Sequence, residues 1–162
     1  MFSRMSDQKN VLFICTGNTC RSPMAEGIFR KAVASEERLN SLGSAGVAAY
    51  DGDTISPETA DELERRGAAL NDFRSRSVTE EMVQSATHVF AMTGSHLAML
   101  AARFPQYQEK YHLVCDFLEI DGQVGLDVPD PIGMGRRAYE QVGEVFEHAI
   151  PALITNILDG EI

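Results

Sequence analysis

The sequence predicts an α/β fold, a three-layer doubly wound sheet of about four parallel strands with helices on both faces. Short apolar runs alternate along the chain with amphipathic stretches of helical period. No repeat, low-complexity tract or linker interrupts the 162 residues, and 44% hydrophobic content at this length suits one core rather than two. We therefore expect a single domain over residues 9–160 and a flexible N-terminus over residues 1–8.

The first predicted unit is a strand followed by a helix. Residues 10–15 form a continuous apolar run, which is typical of a strand buried on both faces. The loop TGNTCR then leads to Ser22 and Pro23, which predict an N-cap and a first helical turn. Apolar residues recur after them at spacings of three and four, so we expect a helix that packs on the sheet and ends near Leu39.

The middle of the chain continues the alternation. A short strand is expected over residues 40–45, and the Ser-Pro pair at 56–57 opens an amphipathic helix that stops near Gly67. The loop VAAYDGDTI between them has the composition of a mobile segment. Thr79 is placed to cap a further short helix.

The second half of the chain predicts two more strands. Residues 88–92 form the third strand, with a helix over residues 94–104, and residues 111–115 form the fourth. An acidic, glycine-containing loop then precedes a long C-terminal helix, which Pro151 is expected to kink because it removes a backbone donor. Ligands of doubly wound sheets bind beyond the carboxyl ends of the strands, and the TGNTCR loop lies at that edge.

Composition limits the classes of function. With 14 basic and 24 acidic residues the net charge is −10, which argues against binding nucleic acid or a membrane surface over a broad face. Three cysteines without a secretory leader favour a cytoplasmic protein, and we expect a monomer. No metal or other cofactor is expected, because the histidines lack ligand spacing and each is expected on the surface or a helix face: His88, His96, His112 and His148.

The loop after the first strand carries the pattern of a phosphate-binding nucleophile. Cys15 and Arg21 frame a C-x5-R sequence at a helix N-terminus, where backbone N–H groups and the positive helix end favour an anion. That field stabilises a thiolate, so Cys15 is expected to attack phosphorus; its alternative role is a small buried hydrophobe. Arg21 offers a planar fork for two phosphate oxygens. The Ser22 hydroxyl could hydrogen-bond the departing sulfur or serve only as the helix cap.

The segment VLFICTGNTCRSPMAE resembles the signature loop of the low-molecular-weight protein tyrosine phosphatases. SAG at 44–46, SRSVTEEM at 75–82, HVFAMT at 88–93 and DVPDP at 127–131 follow in the family's order, so the resemblance covers almost the whole chain. It implies a cysteine-dependent phosphatase that acts on phosphorylated proteins through a phosphocysteine intermediate. The phosphate-binding residues that it implies are Thr16, Gly17, Asn18, Thr19, Cys20, Arg21 and Ser22.

The resemblance also implies a general acid on a distant loop. Family members use the aspartate of an Asp-Pro pair, which here matches Asp130 before Pro131. Expulsion of an alkoxide, a phenolate or a neutral guanidine is slow unless the leaving atom is protonated, and the same carboxylate can later activate water. Asp127 is the alternative, but it lacks the following proline, and most loop carboxylates only face water.

Two residues are expected to support the loop. Asn18 and Ser44 match family positions that brace it through side-chain hydrogen bonds. Relatives often carry a histidine shortly before the Ser-Arg pair, whereas this chain has Phe73, and Asp72 is the candidate replacement.

Two cysteines besides Cys15 have different expectations. Cys20 stands at the spacing from which family members can close a reversible disulfide, a redox role that would spare the thiolate from higher oxidation. The alternative, that Cys20 only packs beneath the loop, stays open. Cys115 is expected in the core.

The substrate depends on the pocket wall. Tyrosine-directed relatives usually place Ile or Leu where this chain has Thr19, whereas protein-arginine phosphatases have threonine there. A hydroxyl suits a guanidinium and an aliphatic wall suits a phenyl ring. Ile132 follows Pro131 where many tyrosine-specific members have tyrosines, and Tyr50 provides an aromatic face that could hold either group. Phosphoarginine is favoured, with phosphotyrosine as the alternative.

Two other classes of function share parts of this pattern. Thioredoxin-coupled arsenate reductases have a similar loop but relay the disulfide through two further cysteines, and residues 88–104 contain none. A non-catalytic anion-binding or redox-sensing module would use Cys15 and Cys20 only as a switch. Such a module needs no leaving-group acid at Asp130.

Overall fold

The computed structural model describes residues 8–162, so the expected flexible N-terminus lies outside the described residues except at its last position. The strands are β1 (Lys9–Cys15), β2 (Leu39–Gly46), β3 (His88–Ala91) and β4 (Tyr111–Leu113). The helices are α1 (Arg21–Ala32), α2 (Pro57–Arg65), α3 (Glu80–Ser85), α4 (Gly94–Arg103) and α5 (Arg136–Leu158), with 3₁₀ turns at Pro105–Lys110 and Val114–Phe117. Within this range, no helix combines the length and apolarity that a membrane crossing requires.

The four strands form one parallel sheet in the order β2-β1-β3-β4. The predicted doubly wound α/β fold is therefore confirmed. The chain adds β2 on one side of β1 and β3 on the other, so the strand order reverses beside β1. The loop that follows β1 consequently opens at the position where such sheets bind ligands.

The two faces of β1 bury different residues because successive side chains of a strand point to opposite sides. On one face Phe13 packs against Phe29 of α1 and Phe90 of β3, with ring centroids 5.5 and 6.0 Å apart, and α5 covers the same cluster. On the other face Leu12 and Ile14 lie under residues of α3 and α4. The loop after β1 is thus anchored at the centre of both cores.

Several predicted boundaries were wrong. α1 ends at Ala32 rather than near Leu39, because Leu39 begins β2 in register with Lys9. The N-cap of α1 is Cys20 and not Ser22, which lies in the first helical turn. β4 stops at Leu113, where the chain turns and the Asp116 carboxylate accepts a hydrogen bond from the Leu113 N–H at 2.9 Å. α5 continues through Pro151 as one helix.

The loop after β2, expected to be mobile, is tied to the segment around Ser75. The Ser75 carbonyl accepts from the Gly52 N–H at 2.8 Å, and its hydroxyl accepts from the Asp53 N–H at 2.9 Å while donating to the Tyr50 carbonyl. Asp51 accepts from the Ser77 N–H at 2.7 Å. These bonds fix a segment that its composition alone would leave free.

The expectation that all four histidines lie on the surface or a helix face was also wrong. His88 is buried in β3, where its ring stacks on those of Phe90 and His112. Burial lowers the pKa of His88 and of His112. His148 is exposed on α5, as expected, whereas His96 is buried next to the loop after β1.

Candidate active site

The loop of residues 16–20 joins the end of β1 to the start of α1 and is held from outside through its carbonyl groups. The Cys15 carbonyl accepts from the Val47 N–H, the Thr16 carbonyl from the Ala48 N–H and the Thr19 carbonyl from the Ser56 N–H, each at 2.9 Å. These carbonyl groups are bound by segments outside the loop. This arrangement is typical of a loop whose backbone amides face an anion.

Close packing at Gly46 completes this support. A Cβ atom at Gly46 would collide with the Thr16 carbonyl oxygen and would lie 2.7 Å from the Ala49 Cβ and 3.1 Å from the Asn18 nitrogen. Only glycine lets the end of β2 approach the loop this closely. The SAG segment therefore has a steric role that its sequence did not disclose.

Two donors surround the Cys15 sulfur, which is 3% exposed. The Asn18 N–H donates to Sγ at 3.3 Å, and the Ser22 Oγ lies 2.9 Å from Sγ. Because Ser22 Oγ accepts from the Asn18 side-chain amide at 2.8 Å, its own proton is available to the sulfur. A thiolate at this position can accept both hydrogen bonds, because an anionic sulfur accepts but cannot donate. Ser22 therefore contacts the nucleophile candidate directly and is not the cap.

Asn18 connects the loop to two other segments. Its backbone has a φ of 57°, in the left-handed region, and its side chain is fully buried. The side-chain amide also donates to Ser44 Oγ at 2.9 Å, and Oδ1 accepts from the Arg76 N–H at 2.9 Å. These bonds hold Asn18 in a left-handed backbone conformation, which asparagine adopts at modest energetic cost. The structure thus brings together Asn18 and Ser44, the pair expected to support the loop.

Glu26, and not Asp72, joins this network of hydrogen bonds. The buried carboxylate of Glu26 accepts from Ser44 Oγ at 2.7 Å and from Arg30 Nε at 2.9 Å. Asp72 is exposed at a φ of 56°, outside this chain of bonds. The suggestion that Asp72 replaces the missing histidine was wrong. Sequence could have signalled Glu26, because a carboxylate amid the apolar positions of an amphipathic helix needs a buried partner.

Arg21 links the loop to the segment that carries Asp130. Its guanidinium, 5% exposed, donates from Nη1 to the Val128 carbonyl at 2.9 Å and from Nη2 to Thr16 Oγ1 at 3.4 Å. The Val128 N–H in turn donates to the carbonyl of Met92, the residue that follows β3. Arg21 Nη2 lies 3.9 Å from Asp130 Oδ2, so the arginine and the acid face the same opening.

The two candidate acids have different surroundings. Asp130 is half exposed, and its Oδ1 accepts from the Ile132 N–H at 3.1 Å across Pro131. Asp127 accepts instead from the Gly94 N–H at 2.9 Å at the start of α4. That bond directs the Asp127 carboxylate to a helix N-terminus, where a negative charge is stabilised.

His96 is a site residue that sequence reasoning missed. Its Nε2 lies 2.8 Å from Thr16 Oγ1, which also accepts from Arg21. Because an arginine only donates, the Thr16 proton is free to be given to His96 Nε2. Burial and the nearby Arg21 lower the pKa of His96 to about 4, so the ring is neutral at neutral pH. Its position at the start of α4, beyond the carboxyl end of β3, was the available signal.

Cys20 is buried with its sulfur 3.6 Å from the Tyr139 hydroxyl of α5. Burial and the Cys20 contact raise the pKa of Tyr139 well above its ordinary value. Among residues 8–162 every cysteine is a free thiol. Cys115 lies in the core as expected, and burial raises its pKa to about 11.

A narrow pocket of about 20 Å³ gathers most of the predicted site residues. Its lining comprises Cys15, Thr16, Gly17, Thr19, Cys20, Arg21, Asp130 and Ile132. Thr19 is half buried in this wall, and Ile132 is exposed at the rim. Tyr50 is 79% exposed and does not line the pocket. Over the described range, no three His, Cys, Asp or Glu side chains converge as metal ligands would.

Comparison with known proteins decides the family. The model of the family described as low molecular weight phosphotyrosine protein phosphatase matches residues 10–161. The chain belongs to this family. Members of the low molecular weight phosphatase family are hydrolases, and the match covers all helices and strands of the fold except Lys9, the first residue of β1.

Similar members of the low molecular weight phosphatase family include arginine phosphatases. A protein-arginine-phosphatase of Bacillus subtilis (strain 168) is 38% identical over 145 residues, which are 89% of this chain and 93% of the relative. The structure of YwlE arginine phosphatase from Geobacillus stearothermophilus superposes with a TM-score of 0.83 at 32% identity, covering 94% of this chain and 95% of that one. A YwlE mutant structure with a phosphorylated active-site serine in place of cysteine has a TM-score of 0.82 at 34% identity, covering 91% and 95%.

Proposed function

We propose that this protein removes the phosphoryl group from phosphoarginine residues of proteins, with Cys15 as nucleophile, Arg21 as phosphate clamp and Asp130 as proton donor. The observation that carries this proposal is the convergence of these three residues on one pocket. The Ser22 hydroxyl lies 2.9 Å from the Cys15 sulfur. The catalytic unit spans residues 9–160.

The first step transfers the phosphoryl group to sulfur. The Cys15 thiolate forms an S–P bond as the P–N bond of phosphoarginine breaks, and the electron pair of that bond stays on the guanidine nitrogen. Asp130 supplies the proton that this nitrogen requires. Arg21, whose Nη2 lies 3.9 Å from Asp130 Oδ2, holds the transferring oxygens.

The second step hydrolyses the phosphocysteine. The Asp130 carboxylate now accepts a proton from water, whose oxygen forms the new P–O bond while the S–P bond breaks. The Ser22 hydroxyl and the Asn18 N–H stabilise the departing thiolate at 2.9 and 3.3 Å. The YwlE mutant with a phosphorylated active-site serine supports a covalent intermediate at the matching position.

The choice of phosphoarginine rests on the pocket wall and on the named relatives. Thr19 puts a hydroxyl in the lining, where an aliphatic side chain would favour a phenyl ring. Two similar relatives are described as arginine phosphatases. Phosphotyrosine is the second candidate, because the family description names phosphotyrosine and Ile132 gives the rim an apolar edge.

Substrate choice is tested by comparing one peptide sequence carrying either phosphoarginine or phosphotyrosine. We expect a higher kcat/KM for phosphoarginine in the wild type and a shift toward phosphotyrosine in Thr19→Ile. Ser35→Ala, a change in the exposed turn after α1, is the control. A ratio of kcat/KM values that is the same in the Thr19 variant and the wild type would remove Thr19 from the specificity role.

We further propose that the protein works as a monomer in a reducing compartment, the cytoplasm. Catalysis by Cys15 requires a thiolate, and Cys20 lines the same pocket, so an oxidising compartment would favour a disulfide between the two. Cys20 is assigned the redox role that the resemblance implies. Mass spectrometry of peroxide-treated protein should detect a Cys15–Cys20 disulfide that dithiothreitol reverses, whereas irreversible oxidation of Cys15 with free Cys20 would contradict that role.

A further inference from the structure

A cavity of about 620 Å³ lies behind the catalytic loop, on the side of the network that braces Asn18. Its polar lining includes three arginines and two carboxylates: Arg30, Arg74, Arg76, Glu26 and Asp72. Its apolar lining includes Leu42, Leu70 and Phe73, all half buried. The lining therefore carries a local positive excess in a chain whose net charge is −10.

The arginines of this cavity have donors to spare. Arg74 is exposed, and its guanidinium donates from Nη1 to the Phe73 carbonyl. Arg76 donates from Nε to the Ser44 carbonyl and from Nη2 to the Leu42 carbonyl. Across residues 8–162, neither arginine forms an ion pair. Guanidinium groups without carboxylate partners are suited to bind a planar or tetrahedral oxyanion.

The carboxylates of the cavity do not neutralise these arginines. Glu26 uses one oxygen for Ser44 Oγ and the other for Arg30 Nε. Asp72 is exposed at the rim. An anion that enters the cavity would therefore meet Arg74 and Arg76, with the apolar side chains as a second wall.

We propose that this cavity binds a small organic anion, a phosphate or carboxylate group carried on an apolar body, and that a bound anion lowers the rate of catalysis at the loop of residues 16–20. Arg76 is the link, because its backbone N–H donates to Asn18 Oδ1 at 2.9 Å while its side chain lines the cavity. Ser44 is a second link through its hydrogen bond with the Asn18 amide. An anion competes with the Ser44 and Leu42 carbonyls for Arg76 and loosens the brace of Asn18.

Binding is tested without reference to catalysis by amide NMR titration of the full chain with phenylphosphonate. We expect saturable shifts in residues 69–76, separate from those of loop residues 16–22, with an affinity at least about tenfold weaker in Arg74→Gln, the usual scale of one charge-assisted hydrogen bond. Arg103→Gln removes an exposed arginine that does not line the cavity and should leave the shifts unchanged. Methylphosphonate, which lacks the ring, should bind more weakly. Shifts confined to the loop, or equal affinities in both variants, would overturn the inference.

The proposed effect of the bound anion on catalysis rests on the proposed phosphatase function and is measured separately, as a change in kcat. Competition at the catalytic loop raises KM alone, whereas occupancy of the cavity should lower kcat, roughly fivefold at the low end of allosteric coupling. The kcat effect should disappear in Arg74→Gln and persist in Arg103→Gln. Chemical-shift changes in residues 69–76 with an unchanged kcat would show that anion binding does not affect catalysis. If the protein had no phosphatase activity, the same chemical-shift changes would still report binding to the cavity.

Discussion

The hydroxyl oxygen of Ser22 lies 2.9 Å from the sulfur of Cys15 and accepts a hydrogen bond from the Asn18 side-chain amide at 2.8 Å. The serine proton is therefore available to the sulfur, and a thiolate at Cys15 can only accept it. A serine in the first turn of α1 is thus held against the end of β1 by an asparagine that itself contacts Ser44 and Arg76.

Replacing Ser22 by alanine should slow turnover while leaving the fold intact. A hydrogen bond to a charged group contributes about 1.5–3 kcal/mol, so kcat should fall roughly tenfold to a hundredfold. The loss should fall mainly on hydrolysis of the phosphocysteine, where sulfur is the leaving group, and phosphoenzyme should accumulate. Rapid-quench measurement of both steps checks this, with Ser35→Ala as control. Equal kcat values for Ser22→Ala and the control would show that Ser22 does not assist the sulfur.

Replacing Asp130 by asparagine should affect substrates according to their leaving groups. An amide cannot donate the proton that an alkoxide requires, whereas an activated aryl phosphate expels a stable phenolate without help. We therefore expect a loss of about a hundredfold or more for poor leaving groups and a much smaller one in transfer from p-nitrophenyl phosphate. Burst kinetics separate transfer from hydrolysis. Asp127→Asn is the matched control, and equal losses across leaving groups in Asp130→Asn would remove the acid role.

Replacing His96 by glutamine should reduce the dependence of stability on pH. The folded pKa of His96, about 4, lies below its ordinary value of 6.5, so the unfolded chain binds more protons between these values. The wild type therefore loses stability from this group as pH falls from about 6.5 to about 4, and His96→Gln lacks that contribution. Chemical denaturation at several pH values measures it. Parallel stability curves for the two proteins would contradict the assignment.

The same His96 substitution has a kinetic consequence. Glutamine can still accept from the Thr16 hydroxyl, whereas alanine cannot, so His96→Gln should retain most activity and His96→Ala should raise KM by loosening Thr16 and Arg21. Identical KM values in both variants would mean that His96 does not position the loop.

Replacing Gly46 by alanine should damage the loop rather than the sheet. The added methyl would collide with the Thr16 carbonyl and crowd the Asn18 nitrogen, and such overpacking costs about 1–3 kcal/mol. We expect weaker phosphate binding together with a lower melting temperature. Gly52→Ala tests a glycine with open space around it, although its φ of 96° adds backbone strain there. Unchanged phosphate affinity in Gly46→Ala would show that the loop can move away from the added methyl and still bind phosphate.

Sequence patterns predicted those parts of the fold and of the site that depend on local periodicity or on a contiguous motif. The apolar run of β1 and the Ser56 cap of α2 follow from neighbouring residues, and so does the C-x5-R loop. The partners of His96 and Glu26 could not be predicted in this way. His96 meets Thr16 only after β1 and β3 pair, and Glu26 meets Ser44 only after α1 packs on β2. A glutamate among apolar helix positions signals that a partner exists, but the sequence does not show which distant residue that partner is.

The central claim, that the Cys15 sulfur carries the phosphoryl group between two steps, is tested most directly by mass spectrometry of acid-quenched enzyme during turnover. We predict one phosphoryl group on the peptide that contains Cys15, formed and lost at rates that account for turnover, and its absence in Cys15→Ala. Full turnover in Cys15→Ala, or a wild-type enzyme that turns over with no phosphorylated cysteine at any quench time, would contradict the account.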